Sequence, residues 1–540
     1  MFHGTTLWQR RIPLKMIQYT PGSGKTVETF PDLPENLYEA LAESAKAFPH
    51  KNIFIDNYDR SCTFSDFKKK VDLFAGYLKH SAGVTHGNHV AIMFYNSIEF
   101  CVAFLALIKL GAVTVPMPTK FKQAEILSLL EHSDIDHIIC DEHFYPWFSD
   151  YKDKGISVLP APDTAAGYAL TAYQAPEYAD DKCEGAPGDQ ALLMFTSGTT
   201  SQSKGVIIKN YNIMHAVKSY QLLLGITEKD ISVIATPIYH VTGLIALLGL
   251  FIYTGGTLYL HKFFDAKRVL DCVKENGITF IHASPTVFSM LLSESLHFPE
   301  LPSLKSLACG SSNMPAGKLC KYHEWLPDMV FHTVYGLTET SSPATIFPDN
   351  ACTSEYIGSS GLPIPGTAFK ILDENGKEMP EGEVGEIWVS GTVVLESYYK
   401  LETNSLKDGW LGTGDLGYMN SEGYLYVVDR KKDMINRGGE KIWSFDVENE
   451  LYQIPGIEEA AVVGIPDEVY GEVAVAAVKK EHDAHFTEQE LKDTLLTRMA
   501  KYKVPTHILF MEKIPETPNG KIDKKSIRQL FIEKTEGGKS

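Results

Sequence analysis

Apolar positions along the chain follow two periods. Asn36 is followed by Leu37, Leu41 and Ala45, a spacing that predicts a helix beginning at that asparagine. Short apolar runs then read as strands at 90–94, 112–116, 138–140 and 192–195, with a helix through 101–109. This alternation predicts α/β layers with parallel sheet. Residues 160–190 are rich in Ala, Asp, Pro and Tyr and read as a surface linker. Over 368–428 the pattern shortens to alternating strands at 369–372, 385–390 and 423–428, separated by Asn-Gly and Glu-Gly turns, as in a β-barrel or meander. Beyond 430 the chain returns to α/β. Strands are expected at 460–464, 473–478 and 508–511, and helices at 487–499 and 524–532. Residues 1–35 show no period and read as an irregular arm.

Composition narrows the class. The chain has 540 residues, 44% hydrophobic and 22% charged, which fits a folded chain of several units. Its net charge of −18 argues against nucleic acid as a partner. Anionic ligands must then meet local positive charge or backbone N–H groups. Eight cysteines form no C-x-x-C pair, which fits reduced thiols and a cytoplasmic location. The longest apolar run, 244–253, is far shorter than the ~20 residues of a transmembrane helix. Peripheral membrane contact is left open. Arg10, Arg11, Lys15 and Lys25 precede the first acid, Glu28, giving a basic arm or a targeting segment.

Candidate chemistry begins after the apolar run at 192–195. Residues 196–205 read Thr-Ser-Gly-Thr-Thr-Ser-Gln-Ser-Lys-Gly. Hydroxyls, glycines and Lys204 on a loop after a strand suit a phosphate cradle. An apparent P-loop at 21–26 fails, because position 19 is Tyr19 and not glycine.

The 196–205 segment resembles the T-S-G-T-T-G-x-P-K-G loop of the adenylate-forming superfamily: acyl-CoA synthetases, adenylation domains and beetle luciferases. Ser201 and Ser203 depart from that pattern. The resemblance recurs in order along the chain. Tyr335-Gly336-Leu337-Thr338-Glu339 is similar to the Y-G-x-T-E segment. Asp415 ends a D-G-W-L-G-T-G-D stretch that starts at Asp408. Asp429-Arg430-Lys431-Lys432-Asp433 closes the large region. Gly438-Gly439-Glu440-Lys441 resembles a glycine-paired loop, with Lys441, Trp443 and Ser444 departing from commoner residues. Pro518-Asn519-Gly520-Lys521 resembles the terminal catalytic-lysine turn.

The resemblance implies a fold, a division and roles. The fold class is α/β: a large N-terminal lobe of layered α/β subdomains plus a small β-barrel, then a small mobile α+β C-terminal domain. The division is an arm at 1–35, a large domain at 36–430 and a small one at 431–540. Lys521, Thr338 and Glu339 would be catalytic, with Glu339 also carrying Mg2+. Thr196, Ser197, Gly198, Thr199, Thr200, Lys204, Gly310, Ser311, Ser312, Tyr335, Gly336, Asp415 and Arg430 would bind ATP or AMP. Lys432 would be the hinge, and Gly438, Gly439 and Glu440 would line a coenzyme A tunnel.

Ile238-Tyr239-His240-Val241-Thr242-Gly243 resembles the segment flanking the acyl pocket. His240, Thr242, Gly243, Cys309 and Gly336 are the pocket candidates. No acid nearby would hold a substrate ammonium, which disfavours amino acids. The implied activity is an ATP-dependent carboxylic acid–CoA ligase acting on a fatty or aryl acid, as a monomer or homodimer. Alternatives are an acyl-AMP ligase serving a carrier protein, a luciferase-like oxygenase and a non-catalytic sensor. Residues 501–534 carry eight Lys and Arg against four acids, a local excess that would favour ATP and CoA.

Overall fold

The computed structural model describes the chain except residues 23–24, 162–168, 197–203, 313, 482–483, 518–520 and 538–540. Two sheets carry the large lobe. In a six-stranded sheet, Gln190–Thr196, Val113–Pro116, His89–Met93, His137–Asp141 and Ser157–Ala161 run parallel. Lys204–Lys209 pairs antiparallel on the outer edge, so the phosphate-loop candidate connects two neighbouring strands. In a nine-stranded sheet, Val330–Tyr335, Ser306–Cys309, Phe280–Ala283, Ile231–Ile234, Thr257–Leu260 and Asn52–Asp56 are parallel. Parallel strands are buried on both faces, which is why they read as continuous apolar runs.

Helices fill the space between the sheets. Leu37–Ala47 starts where the pattern placed it: the Asn36 side chain accepts from the Tyr38 and Glu39 amides. Ile98–Lys109 is buried along its whole length. Both of its charged residues are paired: Lys109 with Asp72 at 2.8 Å, and Glu99 with Arg60 at 3.0 Å.

The amino-terminal segment departs from the expected irregular arm. Phe2–His3 adds a strand beside Thr367–Leu372, and Gly4–Gln9 is a short helix. Trp8 is buried and donates Nε1–H to the Pro363 carbonyl at 2.9 Å. Arg11 reaches Asp349 and the Tyr424 hydroxyl. The apolar anchors Leu7 and Trp8 are too few and too close together to show a period, so the pattern missed them. The stretch at 160–190 is likewise more than a surface linker: Leu170 and Ala175 are buried, and the Glu184 amide caps the Lys109 carbonyl at 2.7 Å.

The turn-rich region forms an antiparallel meander. Thr367–Leu372, Gly385–Gly391, Trp410–Met419 and Leu425–Arg430 pair in succession. Among the described residues this sheet has free ends at Phe2–His3 and Leu406–Lys407, so of the two expected forms, barrel or meander, it takes the open meander. Beyond it lies a five-stranded sheet built from Ile435–Arg437, Glu440–Ile442, Ile457–Asp467, Gly471–Lys480 and His507–Phe510. Alternate residues of its two long strands face opposite sides. Ala460, Val462, Ala474 and Ala476 join one core, and Ala461, Val463, Val475 and Ala477 join another. Helices Ser444–Tyr452 and Glu488–Leu496 pack on the first side and Lys524–Gly537 on the second.

Candidate active site

Thr196, Cys309, Gly310, Tyr335 and Gly336 lie at the carboxyl ends of the large lobe's parallel strands, where ligands of open α/β sheets bind. Val330–Tyr335 delivers Tyr335 and Gly336. Gly336 has no room for a side chain: a Cβ there would lie 1.5 Å from the Ser342 carbonyl oxygen. The chain then makes a tight turn over Thr338–Thr340. Thr338 and Glu339 sit half-buried on that turn. Glu339 Oε1 accepts from the Tyr398 hydroxyl at 3.2 Å. Lys204 Nζ lies 5.1 Å from the centroid of the Tyr398 ring. Tyr398 thus links the phosphate-loop edge to Glu339, a role that no sequence pattern announces. Thr196 and Lys204 face each other across the mouth of the loop. Ser197, Gly198, Thr199 and Thr200 lie outside the described residues.

Asp415 comes from the long strand Trp410–Met419, turned by Gly414 at φ +73°. Its carboxylate is 3% exposed and doubly held. Oδ2 accepts from the Tyr335 hydroxyl at 2.8 Å, and Oδ1 lies 3.0 Å from Arg430 Nε. Asp415 and Arg430 are direct cross-strand partners. Asp415 raises the Arg430 guanidinium further above its ordinary value, and burial with the same carboxylate raises the Tyr335 phenol. The guanidinium of this corner therefore stays charged and the Tyr335 hydroxyl stays neutral.

Lys521 arrives from the other side. The Thr517 amide donates to the Lys521 carbonyl at 2.7 Å and closes the turn that presents it. Residues 518–520 lie outside the described residues. The residue as a whole is exposed, yet protein surrounds its amine. Enclosure lowers its pKa from 10.5 to about 8, with Arg430 and Lys432 lowering and Asp415 and Glu339 raising. The same ammonium acts on His240. Lys521, Arg430, Asp415, Glu339 and His240 therefore share one electrostatic neighbourhood.

His240 precedes a π-helix, Thr242–Gly249. Burial, with Lys521 and Lys120, pushes its imidazole down to about 3, so the ring is neutral. Its Nε2 has no hydrogen-bond partner among the described residues. Gly243 packs against Ile238, where a Cβ would lie 2.7 Å from Cα. Cys309 ends its strand in the core, while Gly310, Ser311 and Ser312 continue beyond the strand's carboxyl end, with Ser311 at φ +76°. Thr242 opens the π-helix.

Lys432 lies two residues after Leu425–Arg430 and three before Ile435–Arg437, at the crossing between the last two sheets. Gly438 and Gly439 form a hairpin turn at φ +61° and +96°, exposed together with Glu440. Lys441 beside them lies 3.6 Å from Glu374, on a strand-connecting loop of the meander. The structure brings Lys521, not this hairpin, to Asp415 and Glu339.

Two lobes that close a lysine over an Arg–Asp–Glu corner define the architecture of an adenylate-forming ligase. The chain belongs to the AMP-binding enzyme family, whose model matches residues 41–399, and the AMP-binding enzyme C-terminal domain matches residues 446–521. It is 32% identical to a feruloyl-CoA synthase of Amycolatopsis over 90% of this chain and 97% of the relative. It is 33% identical to a 2-succinylbenzoate–CoA ligase of Bacillus licheniformis over 89% and 97%. A solved o-succinylbenzoate CoA synthetase of Bacillus subtilis, in complex with its acyl-adenylate intermediate, superposes with a TM-score of 0.78 at 29% identity, covering 92% of this chain and 98% of that one.

Proposed function

We infer that the protein is an ATP-dependent carboxylic acid–CoA ligase that forms AMP. The observation carrying this reading is the convergence of Lys521 with Glu339, Asp415 and Arg430. In the first half-reaction a substrate carboxylate oxygen attacks the α-phosphorus of ATP, and pyrophosphate leaves. Thr196, Lys204 and the intervening loop with Ser197, Gly198, Thr199 and Thr200 hold the outer phosphates. Thr338 and Lys521 meet the α-phosphate, and Asp415 takes the ribose hydroxyls. Gly310, Ser311, Ser312, Tyr335 and Gly336 frame the adenosine. Catalysis here is positioning plus charge neutralisation.

Mg2+ fits Glu339. One Glu339 oxygen already accepts from Tyr398, and no cluster of three or more His, Cys, Asp or Glu exists among the described residues. A single carboxylate suits a cation that keeps its waters and takes phosphate oxygens. When bound, the ion would offset phosphate charge.

In the second half-reaction the CoA thiol attacks the acyl carbon, AMP leaves and the thiol proton is released. The small domain, 431–540, turns about Lys432, withdraws Lys521 and brings Gly438, Gly439 and Glu440 to the site. Neutral His240, with Thr242, Gly243, Cys309 and Gly336, borders an acyl pocket for an aryl or fatty acid. All eight cysteines are free thiols, which supports a cytoplasmic setting. Among the described residues no helix is long and apolar enough to cross a membrane.

The test is a pyrophosphate-release screen across fatty, branched and aromatic acids, with and without CoA. Acid-dependent release, followed by CoA-dependent thioester, is expected. Release whose product passes only to a carrier protein would replace CoA as acceptor, and no release from any acid would overturn the reading.

A further inference from the structure

Behind Gly310 and Gly336 lies a polar group that the adenylation chemistry does not use. His282, on the strand Phe280–Ala283, is 2% exposed. Its Nε2 lies 3.5 Å from the Tyr220 hydroxyl, and that hydroxyl lies 2.7 Å from Ser342 Oγ. Tyr220 is fully buried and Ser342 is 7% exposed. His282 Nδ1 has no hydrogen-bond partner among the described residues. Leaving a buried polar atom unpaired costs roughly 1–3 kcal/mol, so it calls for an explanation.

The surroundings place this group beside the elements that carry the acyl-pocket candidates. A Cβ at Gly310 would lie 3.4 Å from His282 Cε1, the carbon between the two ring nitrogens. Glycine at 310 therefore puts no side chain against that edge of the imidazole. Ser342 follows the Thr338–Thr340 turn, and its carbonyl abuts Gly336. Tyr220 comes from helix Asn210–Leu224, which packs on the π-helix Thr242–Gly249 that follows His240. The walls of the cluster are thus the same elements that carry the acyl-pocket candidates.

We propose that His282, with Tyr220 and Ser342, forms a hydrogen-bonding subsite for a neutral polar group at the end of the acid remote from its carboxylate. The ligand class is an acid bearing a distal hydroxyl or carbonyl. Burial alone pushes the His282 imidazole down to about 3, so the ring is neutral and offers no counter-charge to a second carboxylate. A plain hydrocarbon tail would leave Nδ1 unpaired, whereas a hydroxyl or carbonyl satisfies it. This inference rests on the ligase reading above and narrows its substrate.

The test compares matched acids that differ in one distal hydroxyl: cinnamate with 4-hydroxycinnamate, 3-phenylpropanoate with its 4-hydroxyphenyl analogue, and octanoate with 8-hydroxyoctanoate. Acid-dependent pyrophosphate release gives kcat/KM for each. The hydroxylated member of the best-used pair should be preferred about tenfold or more, as expected when a site built to pair a hydroxyl receives none. His282→Leu should abolish that preference while retaining turnover of the plain acid. Ser342→Ala, a milder change, should reduce it. Equal use of both members by an active enzyme would overturn the subsite and leave the ligase reading standing. A preference unchanged in both variants would also overturn it. No release with any acid, the screen above included, would sink both readings.

Discussion

Replacing Lys521 with alanine isolates the contact on which the adenylation geometry depends. Arg430, the other cation at the corner, is neutralised by Asp415 at 3.0 Å. Among the described residues Lys521 has no such fixed partner, so its charge is the one free to follow the phosphate as negative charge builds in the transition state. Losing one contact of that kind costs roughly 10²–10³ in rate, or about 2.7–4 kcal/mol. The assay separates the half-reactions. Single-turnover pyrophosphate release reads the first, and thioester formation from supplied acyl-adenylate reads the second. Lys521→Ala should lose the full factor in the first and change the second by less than about threefold, because an interaction made in only one transition state affects only that step. Equal losses in both steps, or a loss below about tenfold in the first, would refute the reasoning.

Other predictions address charge, the amino terminus and the small lobe. Lys521 titrates near 8 rather than 10.5, so its cationic form is lost as pH rises through that value. The kcat/KM for pyrophosphate release should fall on a basic limb near pH 8 that Lys521→Arg moves upward; an unmoved limb would assign it to another group. Trp8→Ala should destabilise the large lobe by about 3–5 kcal/mol in denaturant titration, whereas a detached arm would give almost none. Lys524 donates to Ser444 Oγ at 2.6 Å and lies 2.9 Å from Glu448, while Asp429 accepts from the same Ser444 hydroxyl at 2.9 Å. Lys524→Ala strands the buried Glu448 carboxylate and should cost the small lobe about 3 kcal/mol, read from its unfolding; Lys524→Arg should restore most of it.

The parallel strands and the cap at Asn36 were legible because burial on both faces and a local side-chain cap leave their mark within a few residues. The catalytic candidates were legible for another reason: backbone contacts such as Gly336 against Ser342 tie residue type to position along a recognisable segment. Tyr398, His282, Tyr220 and Ser342 were not legible. Each gains its meaning from a partner distant in the chain, as when Tyr220 meets Ser342 across 122 positions. The amino-terminal strand was invisible likewise, because its pairing with Thr367–Leu372 is a long-range event. The choice between barrel and meander was not legible, because closure depends on edge pairing and not on the alternation within strands.

The most direct measurement follows nucleotide and thioester products together from the purified full chain, given ATP, Mg2+, CoA and an acid that supports turnover. AMP, pyrophosphate and acyl-CoA should appear in equal amounts, with pyrophosphate preceding the thioester when CoA is withheld and then added. Formation of ADP and phosphate, or of a thioester without prior pyrophosphate, would contradict the account.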